Sequence, residues 1–185
     1  VGSVFIGLFL LVSAGIFVFG YLLNGVVAYT AYLSYLNLVL MITVPILTMK
    51  TFSEERRTKT DQLLLTSPVK ASDIVLGKYF AAVAVLFITL LLHSLDAIVI
   101  SFFSINMYFL DVLVAYVGLF LVGCAYIAIG VFVSSTTDNQ VISAIITFAV
   151  LLVIYIIQWL STSVTSSVTT GIVTCAVIAL GIVVL

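Results

Sequence analysis

The first 49 residues carry no charged side chain. At about 20 residues per membrane crossing, such a stretch is too long for one span and right for two. Asn24-Gly25 is a turn dipeptide and divides it. The expected spans are therefore residues 4–23 and 28–49. In the second, Tyr29, Tyr32 and Tyr35 suit the headgroup level, and Pro45 is placed to kink the helix.

The rest of the chain repeats the pattern. Apolar runs cover residues 74–103, 112–133, 141–160 and 171–185. They are separated by a break holding Asn106 and Asp111, by the polar turn Ser134–Gln140, and by a Ser/Thr-rich stretch over 161–170. The chain is 64% hydrophobic and 7% charged, whereas a soluble domain is about half apolar and about a quarter charged. These numbers predict an all-α integral membrane protein with six spans in one transmembrane domain. Cys124 and Cys175 sit inside apolar runs and read as small hydrophobes. A net charge of −1 gives no footprint for nucleic acid. The start, VGSVFIGLFL, has neither Met nor a basic flank. The last run stops after about fifteen residues, short of the ~20 a span needs. Both ends are expected to be incomplete.

The charge gathers in FSEERRTKTDQLLLTSPVKASDIVLGKYF, residues 52–80. All six basic residues, Lys50, Arg56, Arg57, Lys59, Lys70 and Lys78, lie in or beside it, as do four of the seven acids, Glu54, Glu55, Asp61 and Asp73. The positive-inside rule places the loop over residues 50–78 in the cytoplasm, and with it the turn at Asp138. Ser53 is suited to cap a helix whose first turn holds Glu54 and Glu55. Glu55/Lys59 and Arg57/Asp61 are spaced for i,i+4 ion pairs. Leu63, Leu64 and Leu65 add an apolar patch, Pro68 ends the element, and Ser72-Asp73 caps the helix that becomes the third span. A short amphipathic helix of this kind either lies on anionic lipid or docks a soluble partner. Its nearly balanced charge favours the partner.

Three runs in order, Phe52–Arg57, Asp61–Val69 and Ile74–Tyr79, closely resemble the permease subunits of ABC type-2 exporters. The likeness is greatest to the bacterial group that includes gliding-motility-type permeases. Ser134–Gln140 resembles the polar turn that this family places between spans four and five. Lys59 stands where many members have Gly, and Gln62 where many have Glu. The basic helix that usually precedes span one is missing, and the outer segment before span six is shortened to a Ser/Thr loop.

The resemblance implies a six-span bundle of the ABC type-2 kind, in the bacterial plasma membrane, with a cytosolic coupling helix within residues 50–73. It implies a second permease subunit, alike or closely related, and cytosolic nucleotide-binding ATPase subunits that hold the ATP and Mg2+. Contact with the ATPase would fall to Glu54, Glu55, Arg56, Arg57, Lys59, Asp61, Leu63, Leu64 and Leu65, with a second contact from Asp138, Asn139 and Gln140.

The chain's own chemistry is sparse. A P-loop needs G-x-x-x-x-G-K-[ST], but Gly77-Lys78 is followed by Tyr79 and preceded five residues back by Ser72. One histidine rules out an H-E-x-x-H zinc site, and there is no nucleophile elbow. No metal, cofactor or catalytic residue is assigned to this chain. His93 and Asp96, spaced i,i+3, form a candidate intramembrane polar site, either proton-linked or in contact with substrate. Counted from Ile74 at 1.5 Å per residue, His93 lies about 28 Å along the span, which instead suggests a hydrated pair at the outer headgroups. Asp111 reads as a helix-start residue, and Asn37 and Gln158 as interhelical or interfacial groups. Besides the exporter permease, the sequence admits an ion- or proton-coupled secondary transporter or channel built on His93 and Asp96. It also admits an ABC-type complex that transmits force without moving a substrate.

Overall fold

The computed structural model of the chain describes residues 2–19, 29–53, 71–101 and 109–164. These residues form five helices and no strand. They are α1 (Gly2–Phe17), α2 (Tyr29–Thr48), α3 (Ala71–Ser101), α4 (Phe109–Thr136) and α5 (Gln140–Val164). Ser72–Asp96, Leu110–Thr136 and Gln140–Gln158 are long and apolar enough to cross a membrane. Gly2–Phe17 and Tyr35–Thr48 are shorter apolar helices. The predicted coupling helix and the sixth span lie outside the described residues.

α2 to α5 lie over the second to fifth apolar runs. α3 starts at Ala71, so Ser72 and Asp73 occupy its first turn, where the Ser72 hydroxyl donates to Asp73 at 3.3 Å. α2 runs through Pro45. The ring removes the N–H that would bond the Met41 carbonyl, but the next turn closes normally, with Met49 N–H on the Pro45 carbonyl at 2.9 Å. Asp111 lies in the first turn of α4 as expected. α5 continues to Val164, past the predicted end at Leu160. Ser and Thr in an apolar helix can turn their hydroxyls onto the preceding turn. Thr43, Thr48, Thr89 and Thr147 each do so, donating to the carbonyl four residues back.

The chain divides at Phe148/Ala149 into two compact units. The first holds α1–α4 and the opening turns of α5. The second, over its described residues, is the remainder of α5. Within the first unit, α1 packs on α2 and α3, and α4 packs on the same two helices. The four therefore close into a ring with α1 opposite α4 and α2 opposite α3. α1 buries one stripe at four-residue spacing: Phe5, Phe9, Ser13 and Phe17. α2 buries more of its circumference, including Tyr32, Leu36, Val39, Leu40, Thr43, Val44 and Leu47. The bundle's outside is apolar as well: Phe80, Phe87, Leu91 and Leu95 on α3 and Leu110, Val114, Leu121 and Phe132 on α4 are exposed. A soluble bundle reverses that pattern, whereas helices in hydrocarbon need only satisfy their own backbones. This is a multi-pass membrane protein.

Candidate functional site

Two polar clusters interrupt the apolar bundle, one at each end of α3. The first lies where α2 ends and the charged segment begins. Beyond Thr48 the chain turns, with Thr51 N–H on the Thr48 carbonyl at 3.0 Å. It then meets the last turn of α4. There the Ser134 hydroxyl oxygen accepts the backbone N–H of Phe52 at 3.0 Å and of Ser53 at 3.3 Å. The same hydroxyl faces the Met49 carbonyl at 3.5 Å, and the Ser53 hydroxyl donates to that carbonyl too. From α3, the Lys78 ammonium donates to the Thr51 carbonyl at 2.8 Å and stands 4.0 Å above the centre of the Phe52 ring.

Ser134 and Ser53 are fully buried. In a low-dielectric setting an unmade bond to a buried N–H costs about 1–3 kcal/mol, so the serine at this position fixes the path of residues 49–53. Close packing beneath supports it. A Cβ on Gly130 would fall 2.8 Å from the Thr48 Cβ, so α2 and α4 touch backbone to side chain at that level. Gly123, two turns earlier, does the same against α3, where a Cβ would meet Leu86 Cδ2 at 2.5 Å. Small residues of this kind let membrane helices approach closely.

The polar turn after Ser134 is built by its own hydroxyls. Ser135 donates to the Phe132 carbonyl at 2.7 Å, and Thr136 and Thr137 donate to the Val133 carbonyl at 2.9 and 3.1 Å, which closes α4. Asn139 then opens α5 as an N-cap. Its side-chain oxygen accepts the Val141 N–H at 3.0 Å, and its carbonyl accepts the Ser143 N–H at 2.9 Å. Asp138 and Asn139 are exposed, and Gln140 is half-buried.

The second cluster surrounds His93. The ring is fully buried, stacked on Tyr32 at 5.6 Å and met edge-on by Phe9 at 5.9 Å. Its Nε2 is 2.8 Å from the Tyr32 hydroxyl and its Nδ1 is 2.8 Å from the Tyr116 hydroxyl. Tyr32 also donates to the Ser13 carbonyl of α1 at 3.1 Å, and Tyr116 to the His93 carbonyl at 3.3 Å. The Asp96 carboxylate lies 3.5 Å from Nε2 with its side chain 31% exposed.

This corrects the expectation of a hydrated pair. Counting along α3 gave an axial distance and could not say what surrounds the ring. Three other helices cover it, through Phe9, Tyr32 and Tyr116. Tyr32 is likewise fully buried among the helices, while Tyr35 is 56% exposed. Asn37 is half-buried, and its side-chain oxygen has no hydrogen-bond partner among the described residues. Gln158 is exposed.

Of the residues expected to meet a soluble partner, Glu54, Glu55, Arg56, Arg57, Lys59, Asp61 and Leu63–Leu65 lie outside the described residues. Asp138, Asn139 and Gln140 form the turn just past Ser134. Nothing in the sequence marks Ser134, Phe52 or Lys78 for a contact, although all three stand inside the runs that carry the resemblance. A tyrosine in an apolar run, such as Tyr116, gives no signal of its partner.

The family model described as "ABC-2 family transporter protein" matches residues 22–174. No curated protein and no solved structure matches the chain significantly.

Proposed function

The chain belongs to the ABC-2 family of transporter proteins, and from that premise we propose that it is the transmembrane subunit of an exporter driven by separate cytosolic ATPase subunits. Two permease subunits, alike or related, pair in a bacterial plasma membrane, and two ATPase subunits that hold ATP and Mg2+ dock beneath them. Residues 54–65 form the coupling helix. Glu54, Glu55 and Asp61 set its register against basic groups of the ATPase, Arg56, Arg57 and Lys59 answer acidic ones, and Leu63–Leu65 provide apolar contact area. Asp138–Gln140 make a second contact. Assignment to the gliding-motility-like group rests on the sequence motifs of residues 52–79.

The observation that carries this reading is the anchoring of residues 49–53. The chain enters the charged segment from a point tied to α4 through Ser134 and to α3 through Lys78. A push on the segment therefore acts on three helices together. ATP binding draws the ATPase subunits together, the docked segment moves with them, and the anchor passes that displacement to the bundle. Polar groups of this kind transmit force while they stay buried: Ser53 and Ser134 are fully covered, and separating them inside the bundle would leave the Phe52 and Ser53 N–H groups unsatisfied.

The test is affinity purification of the full-length protein from membranes under conditions that preserve complexes. A stoichiometric ATPase subunit is expected, and its absence would sink the proposal. Joint reversal of Glu54 and Glu55 to Lys is expected to abolish ATPase recovery with membrane insertion unchanged.

A further inference from the structure

We infer that His93 is a positioning residue of this permease: its uncharged ring is a diagonal strut that makes α1–α4 a frame moving as one body. α2 and α3 stand opposite each other in the ring of four helices. A four-sided arrangement held only along its sides can shear, and a member across the diagonal prevents it. The His93–Tyr32 pair is such a member. His93 Nε2 on α3 meets the Tyr32 hydroxyl of α2 at 2.8 Å, and the two rings stack at 5.6 Å. The other ring nitrogen, Nδ1, meets the Tyr116 hydroxyl of α4 at 2.8 Å.

A neutral imidazole has one donor and one acceptor nitrogen, and a phenol hydroxyl can serve either. Both contacts are therefore made without charge, which suits a ring that is fully buried. Tyr32 carries the strut further. It hydrogen-bonds the Asp96 side chain on α3, and its hydroxyl lies 3.1 Å from the Ser13 carbonyl of α1. Phe17 of α1 packs on the Tyr32 ring at 5.5 Å, and Phe9 meets His93 edge-on at 5.9 Å. The buried stripe of α1 thus docks on this pair, and α1 is carried with the frame.

The same diagonal is crossed a second time at the anchor, where Lys78 of α3 donates to the Thr51 carbonyl just past α2 at 2.8 Å. Lys78 and His93 lie about 22 Å apart along α3. Two struts at two heights oppose both shear and twist of α2 against α3. Apolar contact between helices gains little over contact with lipid tails, so interhelical polar bonds and close packing hold the arrangement. What the frame transmits, a displacement of residues 49–53 delivered to the level of His93, rests on the exporter reading. The frame itself does not.

The test is electron paramagnetic resonance on full-length protein in lipid nanodiscs, with the native cysteines replaced. One pair of spin labels, at Tyr35→Cys and Leu95→Cys, spans the diagonal near His93. A second pair, at Ile42→Cys and Phe80→Cys, spans it nearer the anchor. All four positions are exposed. The parent is expected to give one narrow distance for each pair. His93→Phe keeps the ring volume without the hydrogen bonds, and should lose the narrow distance at the first pair while keeping it at the second. His93→Gln, which offers a donor and an acceptor, should retain both. If His93→Phe does not fold, Tyr32→Phe removes the same bond, keeps the ring and should show the same loss. A first pair unchanged in the Phe variant, or lost equally in His93→Gln, overturns the strut. These measurements need no ATPase, so their failure leaves the exporter reading untouched. With the ATPase bound, ATP should leave both distances of the parent unchanged, and a change in the first pair alone overturns the rigid frame.

Discussion

Gly130 and Thr48 stand so close that no side chain fits between them: a Cβ on Gly130 would lie 2.8 Å from the Cβ of Thr48. α2 and α4 are in contact at the level where the chain leaves the bundle for its charged segment. Gly130→Ala is expected to destabilise the bundle by about 1–3 kcal/mol, the usual cost of an overpacked site. Thr48→Ala in the same chain should recover part of the loss. Gly118→Ala is the control, since nothing lies within 4 Å of a Cβ there. Thermal unfolding in detergent measures all three, and equal effects at Gly118 and Gly130 would refute the close contact.

Ser134→Ala removes the acceptor for two backbone N–H groups and is expected to cost about 1–3 kcal/mol. Ser134→Thr keeps the hydroxyl and should behave more like the parent. Amide hydrogen exchange gives the local readout: Phe52 and Ser53 should exchange at least tenfold faster in Ser134→Ala than in the parent. Unchanged protection would mean that these amides are held by something else.

The Lys78–Phe52 contact is measurable as a coupling energy. A double-mutant cycle of Lys78→Met and Phe52→Leu, which preserves apolar bulk at both positions, should return about 0.5–2 kcal/mol, the range for a cation over an aromatic face. Zero coupling would leave Lys78 with the Thr51 carbonyl as its contribution to the junction.

Asn37 offers a prediction of opposite sign. Its side-chain oxygen has no hydrogen-bond partner among the described residues, and an unmet buried acceptor costs more than an apolar group of similar shape. Asn37→Leu should leave the isolated chain equally stable or raise its stability by about 1 kcal/mol. A marked loss in the same unfolding assay would reveal a partner for Asn37.

Much of this was legible in the residues. Absence of charge over residues 1–49 and the return of apolar runs gave α2 to α5 nearly in place, because length and hydropathy are one-dimensional properties. What could not be read was pairing across the ring. The hydroxyl of Ser134 looks like its three neighbours in SSTT, yet those close their own helix and Ser134 reaches back 82 residues to Phe52. His93 was placed by counting along its own helix, and its burial is decided by Phe9, Tyr32 and Tyr116 from three others. Spacing along a chain carries no information about such encounters.

The anchoring of residues 49–53 also limits how the bundle can move. A loop fastened at one place pivots freely, and its motion dies within a turn of helix. Here the same five residues are continuous with α2, bonded to α4 and gripped by a cation from α3. Attachment to three helices resists the free rotation of a hinge. Any displacement of the chain at Ser53 must then appear as a tilt of the helices themselves, a lever whose short arm lies at Ser53 and whose long arm reaches toward the ring of His93.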